Sequence, residues 1–372
     1  MSDEAAPNSA ATPHKRRVRY AGKNPRRFED KYKERDPQRH ADTVAKVIAA
    51  GKTPAGTHRP IMVAEILQVL APQPGELAVD CTLGYGGHAQ EILARLQPNG
   101  RLLGLDHDPI ELPKTEARLR ALGFDEKVFT AHRSNFAGLP QVLATELGAR
   151  LSQPQHGGND ETAAAGTAAL HLGADLILAD LGVSSMQIDD PARGFSVKFS
   201  GPLDMRMNPQ RGQPVSALLE KIKPDALAAL LVVNADEPKA VQLGAVLAGK
   251  SFTTTHELAD AIRAALPHVA KEDCHLNIRR VFQALRIAVN DEFSALETFL
   301  RHLPACLKPN GRVAVLTFHS GEDRRVKKAF ETGLWGKVYS AIADEVIRAT
   351  PEEQRSNPRS APAKLRWARR SS

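Results

Sequence analysis

Three short apolar runs that each end in an aspartate constrain the fold of this chain more than any other feature. The runs are Leu77–Asp80, Leu102–Asp106 and Leu176–Asp180. Apolar runs of this length are typical of strands that are buried on both faces of a parallel sheet. Helical patterns lie between the runs, so the order of elements predicts an α/β fold with helices on both faces of the sheet.

The remaining patterns divide the chain into domains. After Met207 they are helical, which predicts an all-helical subdomain inserted at residues 190–279. Residues 58–189 and 280–350 are assigned to the α/β domain, and the Gly/Ala/Thr-rich residues 150–171 to a mobile surface insert. Further helices are predicted at residues 61–70, 89–96, 110–122, 136–147 and 281–303. Further strands are predicted at residues 127–131 and 312–318, and a turn at residues 309–311 precedes the second of them.

The positive charge of the chain is concentrated at its two ends. The net charge is +7, and residues 1–57 contain 13 Lys and Arg against 7 Asp and Glu. Residues 354–372 contain six basic residues and no acid, so residues 351–372 are predicted to be a basic tail. Aromatic residues lie among the cations of the first segment, which suits RNA binding by phosphate contacts and base stacking. Basic ends that serve only solubility remain an alternative.

The cysteines and the hydropathy pattern bear on the compartment. Cys81, Cys274 and Cys306 lie far apart without a CxxC spacing, which favours neither a zinc site nor a disulfide framework. No apolar segment is long enough for a membrane helix, and the N-terminus does not resemble a signal peptide. We therefore expect a cytoplasmic protein without a metal.

A glycine-rich turn after the first strand is the first candidate binding site. Gly84, Gly86 and Gly87 separate the strand from a helix, so the backbone can approach a ligand closely. Asp106, twenty residues after Gly86, is placed to accept hydrogen bonds from the hydroxyls of a ribose. The pattern favours an adenosine-type cofactor, although a tight turn with a capping aspartate explains it as well.

Two features favour S-adenosylmethionine over a nicotinamide dinucleotide. Asp80 directly precedes the turn, where its carboxylate would attract the ammonium of a methionine moiety and repel a pyrophosphate. The strand that ends at Asp180 lacks an evident Lys, Tyr or His acid pair for hydride transfer. At the start of the next helix, His88 either serves the site or only caps the helix.

These motifs together resemble those of the bacterial 16S rRNA cytosine-N4-methyltransferases. The resemblance covers about residues 58–370, and its most specific part is the stretch from Asp180 to Met207. The motifs that carry it are His58-x-Pro60, Asp80-x-Thr82-x-Gly84-x-Gly86-Gly87-His88, Asp106-x-Asp108-Pro109, Asp180-Leu181-Gly182-Val183-Ser184-Ser185, Arg193-Gly194-Phe195, Gly201–Met207, Ala284–Glu292, Phe318-His319-Ser320 and Asn357-Pro358-Arg359.

The resemblance implies a Rossmann-like class I methyltransferase sheet that binds S-adenosylmethionine. Its substrate would be cytosine 1402 of 16S rRNA in the decoding centre, so the partner would be the small ribosomal subunit or its RNA. The implied cofactor contacts are Gly86, Gly87, His88, Asp106, Phe136, Asp180 and Gln187. A homodimer is one open possibility for the oligomeric state.

Asp180 is the predicted catalytic residue. A carboxylate at the end of the fourth strand can accept a hydrogen bond from the cytosine amine and direct its lone pair toward the methyl group. Arg193, Arg206 and Arg286 are candidate phosphate or base contacts, or equally surface or salt-bridge arginines. His319 and Ser320 are expected to line the site. The alternatives from other classes are a nicotinamide-dependent dehydrogenase and a non-catalytic RNA-binding assembly factor.

The chain departs from the family pattern at three positions within the motifs. Met186 replaces the usual proline, Thr317 the usual serine, and Gly321 the usual leucine. Of these, Gly321 leaves the geometry after the last strand open.

Overall fold

The computed structural model describes residues 60–151 and 173–372. Within them, seven strands form one sheet in the order β3-β2-β1-β4-β5-β7-β6. Strands β1 to β5 pair in parallel, whereas β7 runs antiparallel to both β5 and β6. The strands are β1 Leu77–Asp80, β2 Arg101–Asp106, β3 Phe129–Arg133, β4 Ala174–Asp180, β5 Leu307–Thr317, β6 Tyr339–Ile342 and β7 Lys364–Arg370. This topology confirms the predicted α/β, Rossmann-like sheet.

Helices cover both faces of the sheet because successive strand residues point to opposite sides. Val79 and Ile177 belong to one buried cluster, whereas Ala78 and Leu178 belong to the other. The helices of the described residues are α1 Val63–Leu70, α2 Gly87–Leu96, α3 Leu112–Ala121, α4 Leu139–Leu151, α5 Ser185–Asp189, α6 Val215–Lys221, α7 Pro224–Ala235, α8 Ala240–Leu247, α9 Thr255–Ala265, α10 Lys271–Asn290, α11 Glu292–Cys306, α12 Ser320–Trp335 and α13 Pro351–Ser356. Helices α1 to α3 pack on one face, and α4, α11 and α12 pack on the other.

Helices α6 to α10 form a third apolar core of their own. This core contains residues from Leu203 to Leu285, as expected for a helical insert. The predicted domain boundary at residue 279 falls inside α10, however, so this helix belongs to both the insert and the route back to the sheet.

The prediction of one long helix over residues 281–303 is wrong. The chain instead forms α10 and α11, which are separated by Asp291 in the left-handed conformation with φ 51°. The apolar period continues on both sides of this residue, so periodicity alone could not reveal the break. The break turns the chain beside the sheet edge that carries the site described below.

The predicted basic tail at residues 351–372 is also wrong. Residues 364–370 form β7, which lies between β5 and β6 inside the sheet. Two of its basic residues share Asp323 as their ion-pair partner: Asp323 Oδ1 lies 2.6 Å from Arg366 Nε, and its Oδ2 lies 3.1 Å from Lys364 Nζ. The charge count was misleading because it does not show which cations have acidic partners.

Smaller differences concern the ends of elements. The predicted helix 136–147 begins as a 3₁₀ turn at Phe136–Gly138, and α4 follows this turn. The predicted turn at 309–311 lies within β5, at the point where the pairing register of β5 with β4 shifts. The basic segment 1–57 and residues 152–171 of the predicted insert lie outside the described residues. Among the described helices, none has the length and apolar character required to cross a membrane.

Replacement of Leu365 tests whether β7 is part of the core. The Leu365 side chain is fully buried in the apolar cluster on the face of the sheet that α1 covers. Leu365→Ala should therefore lower the free energy of unfolding by about 2–5 kcal/mol. Arg369→Ala, at an exposed position near the end of the same strand, should change it by no more than about 0.5 kcal/mol. Chemical denaturation measures both, and equal small effects would contradict the assignment of β7 to the sheet.

Candidate active site

The ends of three neighbouring strands bring Asp80, Asp106 and Asp180 to one edge of the sheet. Strand β1 lies between β2 and β4, and all three are parallel, so their carboxyl ends coincide. A cavity of about 570 Å³ opens above this edge, within the size range of sites for small ligands. All seven residues predicted to contact the cofactor line this cavity, namely Gly86, Gly87, His88, Asp106, Phe136, Asp180 and Gln187.

The glycine turn is shaped by what packs behind it. Gly86 has φ 80°, and a Cβ placed there would lie 2.9 Å from Thr115 Cγ2. A Cβ on Gly87 would lie 2.9 Å from the ring of Pro60, which explains why a side chain is excluded at residue 87. These two glycines therefore let the turn sit close to α3 and to the start of the domain.

Asp106 holds the glycine turn from the side of β2. Its Oδ2 accepts a hydrogen bond from the Gly84 N–H at 2.8 Å, and its Oδ1 accepts one from the Asp108 N–H at 2.9 Å. Burial raises the pKa of this carboxyl. Each oxygen has a second lone pair, so Asp106 can still accept a hydrogen bond from a ribose hydroxyl in the cavity.

Asp80 does not face the cavity, contrary to the sequence prediction that it meets the ammonium of the cofactor. Its side chain is only 2% exposed, and it accepts a hydrogen bond from the Thr82 N–H at 3.1 Å. Burial raises its pKa to about 6. The sequence places Asp80 correctly at the strand end, but the side-chain direction could not be read from it.

His88 and Asp180 lie side by side at the floor of the cavity, where His88 is buried and Asp180 is partly buried. His88 Nε2 lies 2.9 Å from the carbonyl oxygen of Ile61, and its Nδ1 lies 3.6 Å from Asp180 Oδ2. Burial lowers the pKa of His88, which favours the neutral ring with Nε2–H donating to Ile61. Its Nδ1 lone pair then faces the carboxyl of Asp180, whose pKa is raised to about 7 by burial and by Glu322.

Gln187 holds the loop after β4 in place. Its Oε1 accepts a hydrogen bond from the Ser184 N–H at 3.0 Å, and its Nε2 donates to Asp108 Oδ2 at 2.8 Å. Arg193 Nη2 lies 3.0 Å from the same oxygen and 2.7 Å from the carbonyl oxygen of Met207. Asp108 therefore joins the loop after β2 to the loop after β4, a role that the sequence analysis did not assign to it.

The three arginines proposed as RNA contacts are paired inside the protein. Arg193 is 8% exposed and bound as described above. Arg206 forms two hydrogen bonds with Asp204, at 2.7 and 2.8 Å, and Arg286 forms two with Glu292, both at 2.8 Å. Of the two readings left open by the sequence, the structure supports internal ion pairs.

Residues after β5 complete the wall, but they are not the predicted ones. Phe318 and Glu322 line the cavity, whereas His319 and Ser320 are not among its lining residues. His319 instead lies 3.2 Å from Glu322 Oε1, and Ser320 donates to Asp236 at 3.1 Å. Although burial alone would raise the pKa of Glu322, His319 and Arg286 keep it below its usual value. Glu322 is therefore a second buried carboxylate near Asp180.

The chemistry of these residues fits S-adenosylmethionine. The cavity combines an acid at the end of β2 for a ribose, the ring of Phe136 for an apolar contact with a base, and a glycine turn for close approach of the ligand. Phe136 itself packs edge-on against Phe299, with ring centroids 5.6 Å apart. Carboxylates also suit a cationic ligand, because they compensate its charge away from water.

Comparison with known proteins finds similarity over nearly the whole chain. The model of the MraW methylase family matches residues 55–371. Ribosomal RNA small subunit methyltransferase H 2 of Alkaliphilus metalliredigens is 45% identical over 95% of this chain and 97% of its own length. Ribosomal RNA small subunit methyltransferase H 1 of Lachnoclostridium phytofermentans is 44% identical over 95% of this chain and 93% of its own length. A SAM-dependent O-methyltransferase structure from Thermotoga maritima gives a TM-score of 0.37 at 10% identity, covering 88% of this chain and 71% of its own.

Removal of Arg193 tests the role of the buried network. Arg193→Ala leaves Asp108 buried without its cation, so the free energy of unfolding should fall by about 3–5 kcal/mol. Arg211→Ala is the matched control, because Arg211 is exposed and has no ion pair among the described residues; its effect should stay within about 0.5 kcal/mol. A small effect of Arg193→Ala on thermal unfolding, together with a large loss of RNA affinity, would contradict the structural role.

Proposed function

Because the chain belongs to the MraW methylase family, we propose that it methylates the RNA of the small ribosomal subunit. It is a methyltransferase, and its methyl donor is S-adenosylmethionine. The family match disfavours both alternatives from the sequence, the nicotinamide-dependent dehydrogenase and the non-catalytic assembly factor. The observation that carries the RNA substrate is the identity of 44–45% to two ribosomal RNA small subunit methyltransferases over almost their full lengths.

The finer proposal is methylation of the exocyclic amine of cytosine 1402 in 16S rRNA. It rests on the Asp180–Met207 motif and on the carboxyl group of Asp180 at the cavity floor. A target base inside a ribosomal RNA must be unstacked to enter such a cavity. We place the activity in the cytoplasm, where ribosomal RNA is assembled into subunits.

Asp180 is the residue that orients the amine. The N4 lone pair of cytosine is delocalised into the ring, so the amine is a poor nucleophile until it is held in position. The carboxylate of Asp180 accepts a hydrogen bond from one N4–H, which directs the lone pair away from the ring plane. When bound, S-adenosylmethionine supplies an electrophilic methyl group.

The proton released by the amine also has an acceptor at this position. The new N–C bond makes the amine cationic, and one N4–H proton then passes to the carboxylate of Asp180. A carboxyl with a pKa of about 7 holds that proton better than an ordinary aspartate does. His88 lies beside this carboxyl, with its Nδ1 3.6 Å from Asp180 Oδ2, and can accept a hydrogen bond from the carboxyl once it is protonated.

Loss of the gene tests the proposed function directly. Nucleosides from the small-subunit rRNA of cells with and without the gene should differ by one N4-methylcytosine, measured by mass spectrometry. Reintroduction of the unaltered gene should restore it. An unchanged N4-methylcytosine content would contradict the proposal, and loss of another methylated nucleoside would keep the RNA methyltransferase but refute the cytosine amine.

The pH dependence of methyl transfer tests the state of Asp180. The deprotonated carboxyl is the stronger hydrogen-bond acceptor and is the form that can take the proton released by the amine. Because its pKa is raised to about 7, the rate should rise with pH between about 6 and 8 and then level off. The charged and titratable groups near the carboxyl of Asp180 are His88, Asp80 and Glu322.

Glu322→Gln sharpens this test. It removes the negative charge that raises the pKa of Asp180, so the midpoint should move to lower pH. Glu297→Gln, which removes an exposed acid from α11, should leave the midpoint in place. A rate that is flat between about pH 6 and 8, or a midpoint that Glu322→Gln does not move, would refute the assignment.

A further inference from the structure

Of the arginines that line the cavity, Arg279 is the one without an ion pair or hydrogen bond to another described residue. Five side chains that can carry positive charge line the cavity, and they are His88, His107, Arg279, Arg286 and Arg359. Arg286 is bound to Glu292, and Arg359 donates to both oxygens of Asp189 at 2.9 Å. Among the described residues, Arg279 has neither a hydrogen bond nor an ion pair, and its side chain is exposed.

Helix α10 presents Arg279 to the cavity by its periodicity. Arg279, Arg286 and Asn290 are seven and four residues apart, so they lie on one face of the helix, and all three line the cavity. Asn290 is fully used inside the protein, since its amide donates to Met205 and Arg286 and its Oδ1 accepts from the Met207 N–H. Arg279 lies two turns before Arg286, on the wall formed by the helical insert.

The distribution of charge decides what this guanidinium can bind. The cavity floor carries Asp106, Asp180 and Glu322, which would repel a phosphate. A base can enter this acidic cavity, but the phosphates beside it must stay outside. A guanidinium is well suited to phosphate, because its planar fork donates two hydrogen bonds and its charge persists at every physiological pH.

We propose that Arg279 binds a backbone phosphate next to the target nucleotide while that nucleotide's base occupies the cavity. This inference rests on the proposed RNA substrate and adds a residue that neither the motifs nor the family match assigns. Contacts of this kind fix the register of a nucleic acid without reading its sequence. Arg279 would thereby set which nucleotide is presented to Asp180.

The test measures RNA binding, so it does not depend on turnover. Affinity for small ribosomal subunits from cells that lack the gene is measured by co-sedimentation over a range of salt concentrations at fixed Mg²⁺. Arg279→Ala should weaken binding about five-fold and reduce the slope of log affinity against log salt by about 0.7–1, the value of one phosphate contact. Arg279→Lys, which keeps the charge, should restore most of the slope.

Arg301→Ala is the matched control. Arg301 is exposed on α11, and this helix runs from Glu292 at the cavity toward β5, so Arg301 lies near the opposite edge of the sheet. It has no ion pair among the described residues, and its removal takes away the same charge. Its replacement should leave the slope within about 0.3 of the unaltered protein.

Two further measurements separate the possible explanations. Calorimetry should give the same affinity for S-adenosylmethionine in Arg279→Ala as in the unaltered protein. A lower affinity of the variant for S-adenosylmethionine would indicate that Arg279 binds the carboxylate of the cofactor, and it would overturn the proposal. An unchanged salt slope, or an equal loss with Arg301→Ala, would overturn it as well. Mass spectrometry of the rRNA nucleosides tests the proposed function separately, because Arg279→Ala can lose its phosphate contact whatever base the enzyme methylates.

Discussion

The burial of several carboxylates at one edge of the sheet is the constraint on which the rest of the site depends. A buried carboxylate is costly unless it is hydrogen-bonded or close to a cation, and here each acid is compensated differently. Asp106 accepts two backbone N–H groups, Asp108 is bound by Gln187 and Arg193, and Glu322 lies against His319. Among the described residues, the carboxyl of Asp180 receives no hydrogen bond; His88 Nδ1 lies 3.6 Å from its Oδ2, and its backbone N–H donates to Thr82 Oγ1 at 2.6 Å. It is therefore the acid that is left to act on a ligand.

The hydrogen bonds and ion pairs of these carboxylates also fix the loops around the cavity. The loops after β2 and β4 are joined through Asp108, and the loop after β4 is joined to the C-terminal segment by Arg359 and Asp189. The N-terminal end of the domain is held by Glu353, which accepts a hydrogen bond from the Met62 N–H at 2.8 Å. Segments far apart in sequence thus meet at one rim, and charge pairing sets how they meet.

Much of the fold and of the site could be predicted from local patterns. Apolar runs ending in Asp80, Asp106 and Asp180 predict parallel strands with their acids at one edge, and the glycine turn predicts close approach of a ligand. Other features depend on long-range pairing and could not be predicted. Examples are the ion pairs of Lys364 and Arg366 with Asp323, the inward direction of Asp80 and the internal pairing of Arg286. Arg279 became visible as a candidate only after the partners of the other arginines were known.

The central claim is that Asp180 acts on the amine of the substrate, and that this action, more than any contact Asp180 makes with the cofactor, sets the rate. The most direct test compares Asp180→Asn with the unaltered protein in single-turnover methyl transfer and in calorimetric binding of S-adenosylmethionine. Asparagine keeps the size of the side chain but removes the negative acceptor and the site for the proton. The account predicts a rate that is lower by about 100-fold or more, with an affinity for S-adenosylmethionine that changes by less than about three-fold. An unchanged rate, or a loss of rate explained entirely by weaker cofactor binding, would contradict it.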